Sequence, residues 1–200
     1  MTLRAGVVAV QGDVSEHATA IERAAERHGK RAEVVEIRHS GLVPDCDLLL
    51  LPGGESTTIS RSLRREGIAS EIQDHVAAGK PVLATCAGLI VASTDPNDDR
   101  VESLGLVDVT VERNAFGRQR DSFEAPLDVA GLDDPFPAVF IRAPVIDEVG
   151  DVEVLAEWDG RPVAVRDGPV LGTSFHPELT DDDRIHALAF FREAVVAAED

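Results

Sequence analysis

Pro81-Val82-Leu83-Ala84-Thr85-Cys86-Ala87-Gly88-Leu89-Ile90 is a short apolar run that ends on a cysteine and continues into small residues able to open a helix. A thiol on such a strand-to-helix turn is lifted out of the fold and faces the amide dipoles at the helix N-terminus, and both effects favour the thiolate. His176-Pro177-Glu178 follows another β-prone run and supplies a base and an orienting carboxylate. Residues i and i+2 of an extended segment point to one side, so Glu178 is expected to accept the imidazole N–H of His176 and fix its tautomer.

The rest of the first half repeats the pattern around that turn. Residues 3–10 form a buried-strand pattern. Ser15 is placed to cap a helix to about His28, with Ala18, Ile21, Ala24 and Ala25 on one face and Gly29 as its stop. Residues 32–37 and 47–51 read as strands, and helical material after Ser56 breaks at Gly67 and ends at Gly79. Continuous apolar strands alternating with helices indicate a parallel sheet covered on both faces. Ligands in such sheets collect beyond the carboxyl ends of the strands. Gln11-Gly12, the loop 52–56 and Cys86-Ala87-Gly88 all follow strands directly and are expected to converge on that edge.

The second half is richer in strands, expected at 104–112, 123–129, 138–141, 152–156, 162–165 and 170–173, with surface loops at 97–100 and 133–137. Thr180, with Asp183 three positions on, is expected to cap a final helix to about Ala198. No repeat or interdomain linker is visible, and 200 residues suit one domain, 1–200, with a sizeable core.

Composition narrows the classes. The formal net charge is −18, from 19 basic and 37 acidic residues, and only Lys30 and Lys80 are lysines. Such a surface repels nucleic acid and anionic membranes, so neither is expected as a partner. The first residues show no basic leader or long apolar segment, so a cytoplasmic protein is expected. Acidic residues spread along a lysine-poor chain resemble proteins of salt-rich cytosols, where screening weakens self-repulsion; an acidic mesophilic enzyme is the alternative. Two cysteines, Cys46 and Cys86, are expected to be reduced, and no spacing suggests a metal site.

Each candidate has a plainer reading. A cysteine is often a small buried apolar residue, a histidine often a satisfied core group, and Gly53-Gly54 can be only a tight turn. The Ala84-x-Cys86-x-Gly88 frame favours an elbow, although alanine stands where glycine is usual and a slightly more crowded turn is expected. Opposite that elbow, the paired glycines can turn backbone N–H groups toward an oxyanion, with the Ala87 N–H as second donor.

The strings Val8-Ala9-Val10-Gln11-Gly12 with Glu16-His17, Leu51-Pro52-Gly53-Gly54-Glu55-Ser56-Thr57-Thr58, Thr85-Cys86-Ala87-Gly88, Arg113-Asn114-Ala115-Phe116-Gly117-Arg118-Gln119, Phe140-Ile141-Arg142-Ala143-Pro144 and Phe175-His176-Pro177-Glu178 occur in this order. On them the whole chain resembles the class I glutamine amidotransferases, and within these the glutaminase subunits of pyridoxal 5′-phosphate synthase. The resemblance implies a three-layer, flavodoxin-like α/β fold with a mixed, mostly parallel central sheet. It implies a Cys86, His176, Glu178 triad and L-glutamine held by Gly54, Glu55, Ser56, Arg113, Ile141 and Arg142, with Gly54 and Ala87 as oxyanion donors. Glu55 can pair with the ammonium of the amino acid and an arginine with its carboxylate; surface ion pairs are the plainer reading of Arg113 and Arg142.

It further implies no cofactor, and a TIM-barrel synthase subunit as partner, in a dodecameric core decorated by glutaminase subunits (a twelve-plus-twelve complex). Gln11, His17 and the first helix are expected at that interface. Three other readings stand beside it: the glutaminase of another amidotransferase such as imidazole-glycerol-phosphate synthase, a non-catalytic scaffold subunit that kept the fold, and a peptidase with a similar elbow. The charge reading carries its own test: thermal melting across a KCl series should show stability rising into molar salt, whereas a maximum in dilute buffer would contradict it.

Overall fold

Residues 2–113 and 122–191 are described by the structure, a computed structural model. Strand β1 (Thr2–Val8) leads into helix α1 (Val14–Arg27), β2 (Arg31–Ile37) and β3 (Leu48–Leu51). Helices α2 (Ser56–Arg65) and α3 (Ile68–Ala77) precede β4 (Val82–Thr85), the short α4 (Ala87–Ala92) and β5 (Ser93–Asp95). Then come β6 (Val107–Glu112), β7 (Ser122–Leu127), β8 (Phe136–Ile141), β9 (Val145–Val149), β10 (Glu153–Trp158), β11 (Arg161–Asp167), β12 (Val170–Thr173) and α5 (Arg184–Phe190).

Seven strands build the main sheet in the order β10-β11-β12-β4-β3-β1-β2. From β12 to β2 every pairing is parallel, while β10 and β11 add an antiparallel edge. The four leucines of β3 show why the sheet needs two covers. Leu49 and Leu51 belong to one core cluster and Leu48 and Leu50 to the other, as the two-residue period of a strand requires. The first cluster is closed by α2, α3 and α4 through Ile59, Leu63, Ile68, Ile72 and Leu89. The second is closed by α1 and α5 through Ile21, Ala24, Ile185 and Leu188, together with Phe136, Phe140 and Phe175. This is the mixed, mostly parallel α/β sandwich expected from the sequence. Because β1 lies between β2 and β3, connections leave it in opposite directions, and the crevice at that switch point opens beyond the strand ends.

Several boundaries differ from the sequence reading. Helix α1 begins at Val14 after Asp13, and the Ser15 hydroxyl donates to Glu16 instead of capping. Its buried face carries His17, Ala20, Ile21, Ala24 and Ala25, with Ala18 only half-buried. Strands β5 and β9 were not expected: the first is three residues long, and the second mixes buried Val145 and Ile146 with exposed acids. The segment 104–106 is not strand, since Leu104 and Leu106 give their N–H groups to Val91 and Ala92 carbonyls. Phe136, expected in a turn, is drawn into β8 because its ring is fully buried in the second cluster.

At the last helix, Thr180 does not cap. Its hydroxyl bonds the carbonyls of Pro177 and Asp182, and α5 begins at Arg184. The Asp181-Asp182-Asp183 run is only partly a solvated acidic face, because Asp183 is buried against Arg27 at 3.0 Å. The continuation of this helix to Ala198 lies outside the described residues. Cys46 and Cys86 are both free thiols. Among the described residues no helix is long and apolar enough to cross a membrane.

Helix α4 can start at the very end of β4 only because Gly88 has no side chain. A Cβ there would stand 2.1 Å from the Leu51 carbonyl oxygen. Substituting Gly88→Ala should therefore destabilise the fold by about 1–3 kcal/mol or more, as overpacking against a backbone atom does. Urea unfolding in molar KCl should show this, and a variant as stable as the native chain would contradict the packing described.

Candidate active site

Cys86 occupies the junction of β4 and α4 with φ 50° and ψ −110°, a conformation that non-glycine residues adopt only when their surroundings enforce it. Its N–H donates to the Thr173 carbonyl at 2.8 Å, which extends the β4–β12 ladder through the turn. The next residue, Ala87, opens α4, and the first bond across that turn runs from Ile90 N–H to Cys86 C=O at 3.2 Å. Ala84, the irregular position of the elbow, is fully buried and paired with Gly172 of β12. A Cβ on Gly172 would meet Leu89 at 2.6 Å. Gly172 thus leaves room for the Leu89 side chain of α4 beside the elbow.

His176 is 6 % exposed and Glu178 4 %. The sequence expected them on one side of an extended segment. They lie instead at the start and middle of a 3-10 turn, Pro177–Leu179, and this turn brings Glu178 Oε1 to 2.7 Å from His176 Nδ1. Burial opposes a charged imidazole here. Hydrogen bonding and charge at Cys86 and Glu178 outweigh it and raise His176 to about 10. Burial pushes the Glu178 carboxyl up, and His176 pulls against that. The thiol, imidazole and carboxylate thus stand in sequence. Asp13 adds a second carboxylate, 3.6 Å from the same Nδ1.

Cys86, His176 and Asp13 open on a cavity of about 560 Å³ whose lining also includes Gln11, Gly54, Glu55, Ser56, Ala87, Arg113, Ile141 and Arg142. The loops after β1, β3 and β4 do converge there, as the strand ends predict. Gly53 is needed for the approach, since a Cβ on it would lie 2.8 Å from the His176 ring. Glu55 caps α2, accepting from Thr57 N–H at 3.3 Å and from Thr58 N–H and hydroxyl at 2.8 and 2.9 Å. Arg113 joins it at 3.0 Å. Burial works against the charge of this carboxylate, but the Thr58, Thr57 and Arg113 bonds hold it down at about 2.

Arg113 is also bound by Asp98 at 2.6 Å, so the ion-pair reading of Arg113 holds in this structure, within the cavity wall. Arg142 differs: it makes no ion pair among the described residues and stands at φ 42°, directly after β8. Ser56 is 1 % exposed, and its hydroxyl has no partner among the described residues. A buried hydroxyl left unpaired beside a cavity is a group that a ligand can satisfy.

Gln11 is exposed and pins the loop above the cavity, accepting from Glu55 N–H at 2.8 Å. His17, expected at a partner interface, is instead fully buried, because α1 turns that face onto the sheet. It contacts Thr85, His186 and Glu178. Arg113 is described, whereas the rest of the string Asn114-Ala115-Phe116-Gly117-Arg118-Gln119 lies outside the described residues. Sequence reading missed Asp13, Asp98 and His186. Asp13 precedes a helix start and was legible as a cap, while nothing local marks the other two. Donor atoms of Asp13, His176 and Glu178 lie within 4.8 Å of one another. A proton held on His176 Nδ1 by Glu178 removes the lone pair that a metal would need.

Comparison with known proteins follows the same line. The family described as SNO glutamine amidotransferase matches residues 7–197. A protein of Haloarcula marismortui named pyridoxal 5′-phosphate synthase subunit PdxT is 79 % identical over 192 residues, covering 96 % of this chain and 98 % of that protein. A protein of the same name from Halorubrum lacusprofundi is 72 % identical over 197 residues, covering 98 % of this chain and 100 % of its own. A crystal structure of a glutamine amidotransferase superposes with a TM-score of 0.81 at 44 % identity, over 92 % of this chain and 96 % of that one. With an elbow cysteine, a histidine–glutamate pair and a cavity at the strand ends already in place, this chain belongs to the SNO glutamine amidotransferase family.

Proposed function

We propose that this chain is the glutaminase subunit of a pyridoxal 5′-phosphate synthase, working as one domain in the cytoplasm. It hydrolyses L-glutamine to L-glutamate and ammonia, and hands the ammonia to a synthase subunit. The observation that carries this reading is the buried Cys86–His176–Glu178 arrangement, with Cys86 and His176 lining the cavity and Glu178 2.7 Å from His176.

His176 takes the proton of the Cys86 thiol, and the thiolate attacks the side-chain amide carbon. The oxyanion that forms is held by N–H groups at Gly54 and Ala87. Protonated His176 gives its proton to the leaving nitrogen, so ammonia departs and a glutamyl thioester remains on Cys86. Water then attacks the thioester with His176 as base, which releases glutamate and restores the thiol. Glu178 holds the Nδ1 proton throughout and stabilises the imidazolium without changing its own protonation.

Substrate recognition divides by charge. Glu55 is ionised and draws the α-ammonium, which displaces the longest of its bonds, from Thr57 at 3.3 Å. Arg142, unpaired among the described residues, takes the α-carboxylate, while Arg113 holds Glu55 in place from its own anchor at Asp98. Ser56 and Ile141 complete the polar and apolar walls.

Free ammonia in neutral water is mostly protonated and no longer nucleophilic, which favours a partner that receives it directly. A TIM-barrel synthase subunit in a twelve-plus-twelve assembly, as the family resemblance implies, fits that need. The acidic, lysine-poor surface and relatives from salt-loving archaea such as Haloarcula marismortui support work in a salt-rich cytosol.

Glutamate release should be measured in molar KCl with the synthase subunit present. Cys86→Ala should lower turnover by about a millionfold or below detection, and Glu178→Gln by about 100- to 10,000-fold. Unchanged turnover in Cys86→Ala would overturn the mechanism. Activity only with an imidazole-glycerol-phosphate partner would overturn the assignment to pyridoxal 5′-phosphate synthase.

A further inference from the structure

Two buried histidines lie behind the catalytic pair, and the mechanism above does not use them. His17 of α1 and His186 of α5 are both fully buried. His17 Nδ1 is 3.2 Å from His186 Nε2, and its Nε2 is 3.1 Å from the Thr85 hydroxyl at the end of β4. The same Nε2 stands 3.4 Å from Glu178 Oε2, the carboxylate oxygen turned away from His176. That oxygen is buried and accepts no hydrogen bond among the described residues, although its neighbour Oε1 is bonded at 2.7 Å.

The protonation of this row can be worked out from its two ends. Burial keeps both rings neutral: His17 is held well below its ordinary value by burial and by His186 and His176, and His186 is lowered to about 3 by burial and Arg23. A neutral ring carries one N–H and one lone pair. A lone pair on His17 Nε2 would face the lone pairs of an ionised carboxylate. That tautomer would also turn the His17 Nδ1 proton toward His186 Nε2 and leave the proton on His186 Nδ1, a buried atom with no partner among the described residues. The opposite tautomer removes both penalties. His186 Nε2–H donates to His17 Nδ1, and His17 Nε2–H lies between Thr85 and Glu178. The atom then left bare, His186 Nδ1, is an acceptor, which is the cheaper orphan.

We infer that His17 is a positioning residue of the glutaminase site, a fourth member behind Cys86, His176 and Glu178. Its Nε2–H supports the free oxygen of Glu178, with His186 fixing its tautomer. The inference rests on the catalytic reading of Cys86, His176 and Glu178 given above. Its function follows from the position of Glu178. A carboxylate with one oxygen committed to His176 and the other bare in an apolar wall tends to gain a proton, and a protonated Glu178 no longer orients the imidazole. A neutral N–H at the bare oxygen favours the charged form without adding a second positive charge beside the imidazolium. The 3.4 Å separation is that of a poised donor, and catalytic hydrogen bonds commonly shorten when substrate binds.

The ionisable groups facing Glu178 are His176 on its own turn, Asp13 before α1 and His17 on α1. Those acting on His17 are Glu178, His186 and, from beyond Glu178, His176, with Arg23 acting on His186 from α1. Removing the donor at His17 therefore leaves Glu178 Oε2 bare, with the Asp13 carboxylate still acting against its charge and His176 alone favouring it, and raises the pH at which Glu178 is protonated.

Two measurements test the inference. In the native chain, 15N NMR of the histidine rings should show His17 neutral and protonated on Nε2; a proton on Nδ1 overturns it. With the synthase subunit in molar KCl, His17→Leu should lower kcat about 10- to 100-fold with KM changed less than about twofold. The acid limb of its pH–rate profile should move up by about one unit. His17→Gln, which keeps an N–H donor, should recover most of both. A folded His17→Leu variant with native kcat and acid limb overturns the inference, as does a folded His17→Gln variant no better than His17→Leu. If His17→Leu does not fold, the tautomer and the His17→Gln profile decide. Absence of glutaminase activity in the native chain would instead count against the functional reading and leave the tautomer result standing.

Discussion

The backbone approach of α4 to the end of β3 is the constraint on which the site depends. Gly88 lies so close to the Leu51 carbonyl that helix and strand share one van der Waals surface. The chain must therefore turn from β4 into α4 within a single residue, and Cys86 absorbs that turn at φ 50°. Nothing in the cysteine itself favours this conformation. It is held by the β4–β12 ladder on one side, ending in Cys86 N–H to Thr173, and by the buried apolar helix on the other. Stored backbone strain, balanced by packing over a large sheet, is what presents the thiol at the cavity floor.

Once Cys86 is fixed, the other parts are placed by the same sheet. β12 runs parallel to β4, so the segment that follows it emerges beside the elbow, and His176 N–H is tied to the Val139 carbonyl of β8. β3 delivers the Gly53-Gly54 loop against the His176 ring. A carboxylate as deeply buried as Glu178 is costly unless both oxygens find partners. His176 answers for one. The polar row of His17, Thr85 and His186, inserted between α1, β4 and α5, stands at the other. The second core is therefore not purely apolar at the point where it backs the site, and charge at the site is governed from within the protein as well as from the cavity.

Much of this was legible in the sequence, for reasons that differ by residue. Leu48–Leu51 and Val82–Thr85 are so uniformly apolar that only strands buried on both faces suit them. The elbow announces itself because small residues flank one cysteine, and His176 and Glu178 because Pro177 stiffens the stretch between them. Strand β9 was hidden by its exposed acids, and the Thr180 cap was mistaken because side chains at 182 and 183 found arginines instead. Glu55 was read as the anchor for the ammonium of an amino acid, and an arginine, Arg113 or Arg142, as the anchor for its carboxylate. The bond between Glu55 and Arg113 exists only after residues 58 positions apart are folded together, and Asp98 holds Arg113 from its other side. His17 was misplaced for the same reason: one turn of helix decides whether it meets a partner or the core.

The central claim is that Cys86, raised on this elbow, forms the bond to substrate. Intact-mass and peptide mass spectrometry on protein quenched in acid during turnover of L-glutamine with the synthase subunit tests it most directly. The account predicts a glutamyl thioester on the peptide carrying Cys86 and none on Cys46. Steady glutamate release with no adduct on Cys86, or with the adduct on another residue, would contradict it.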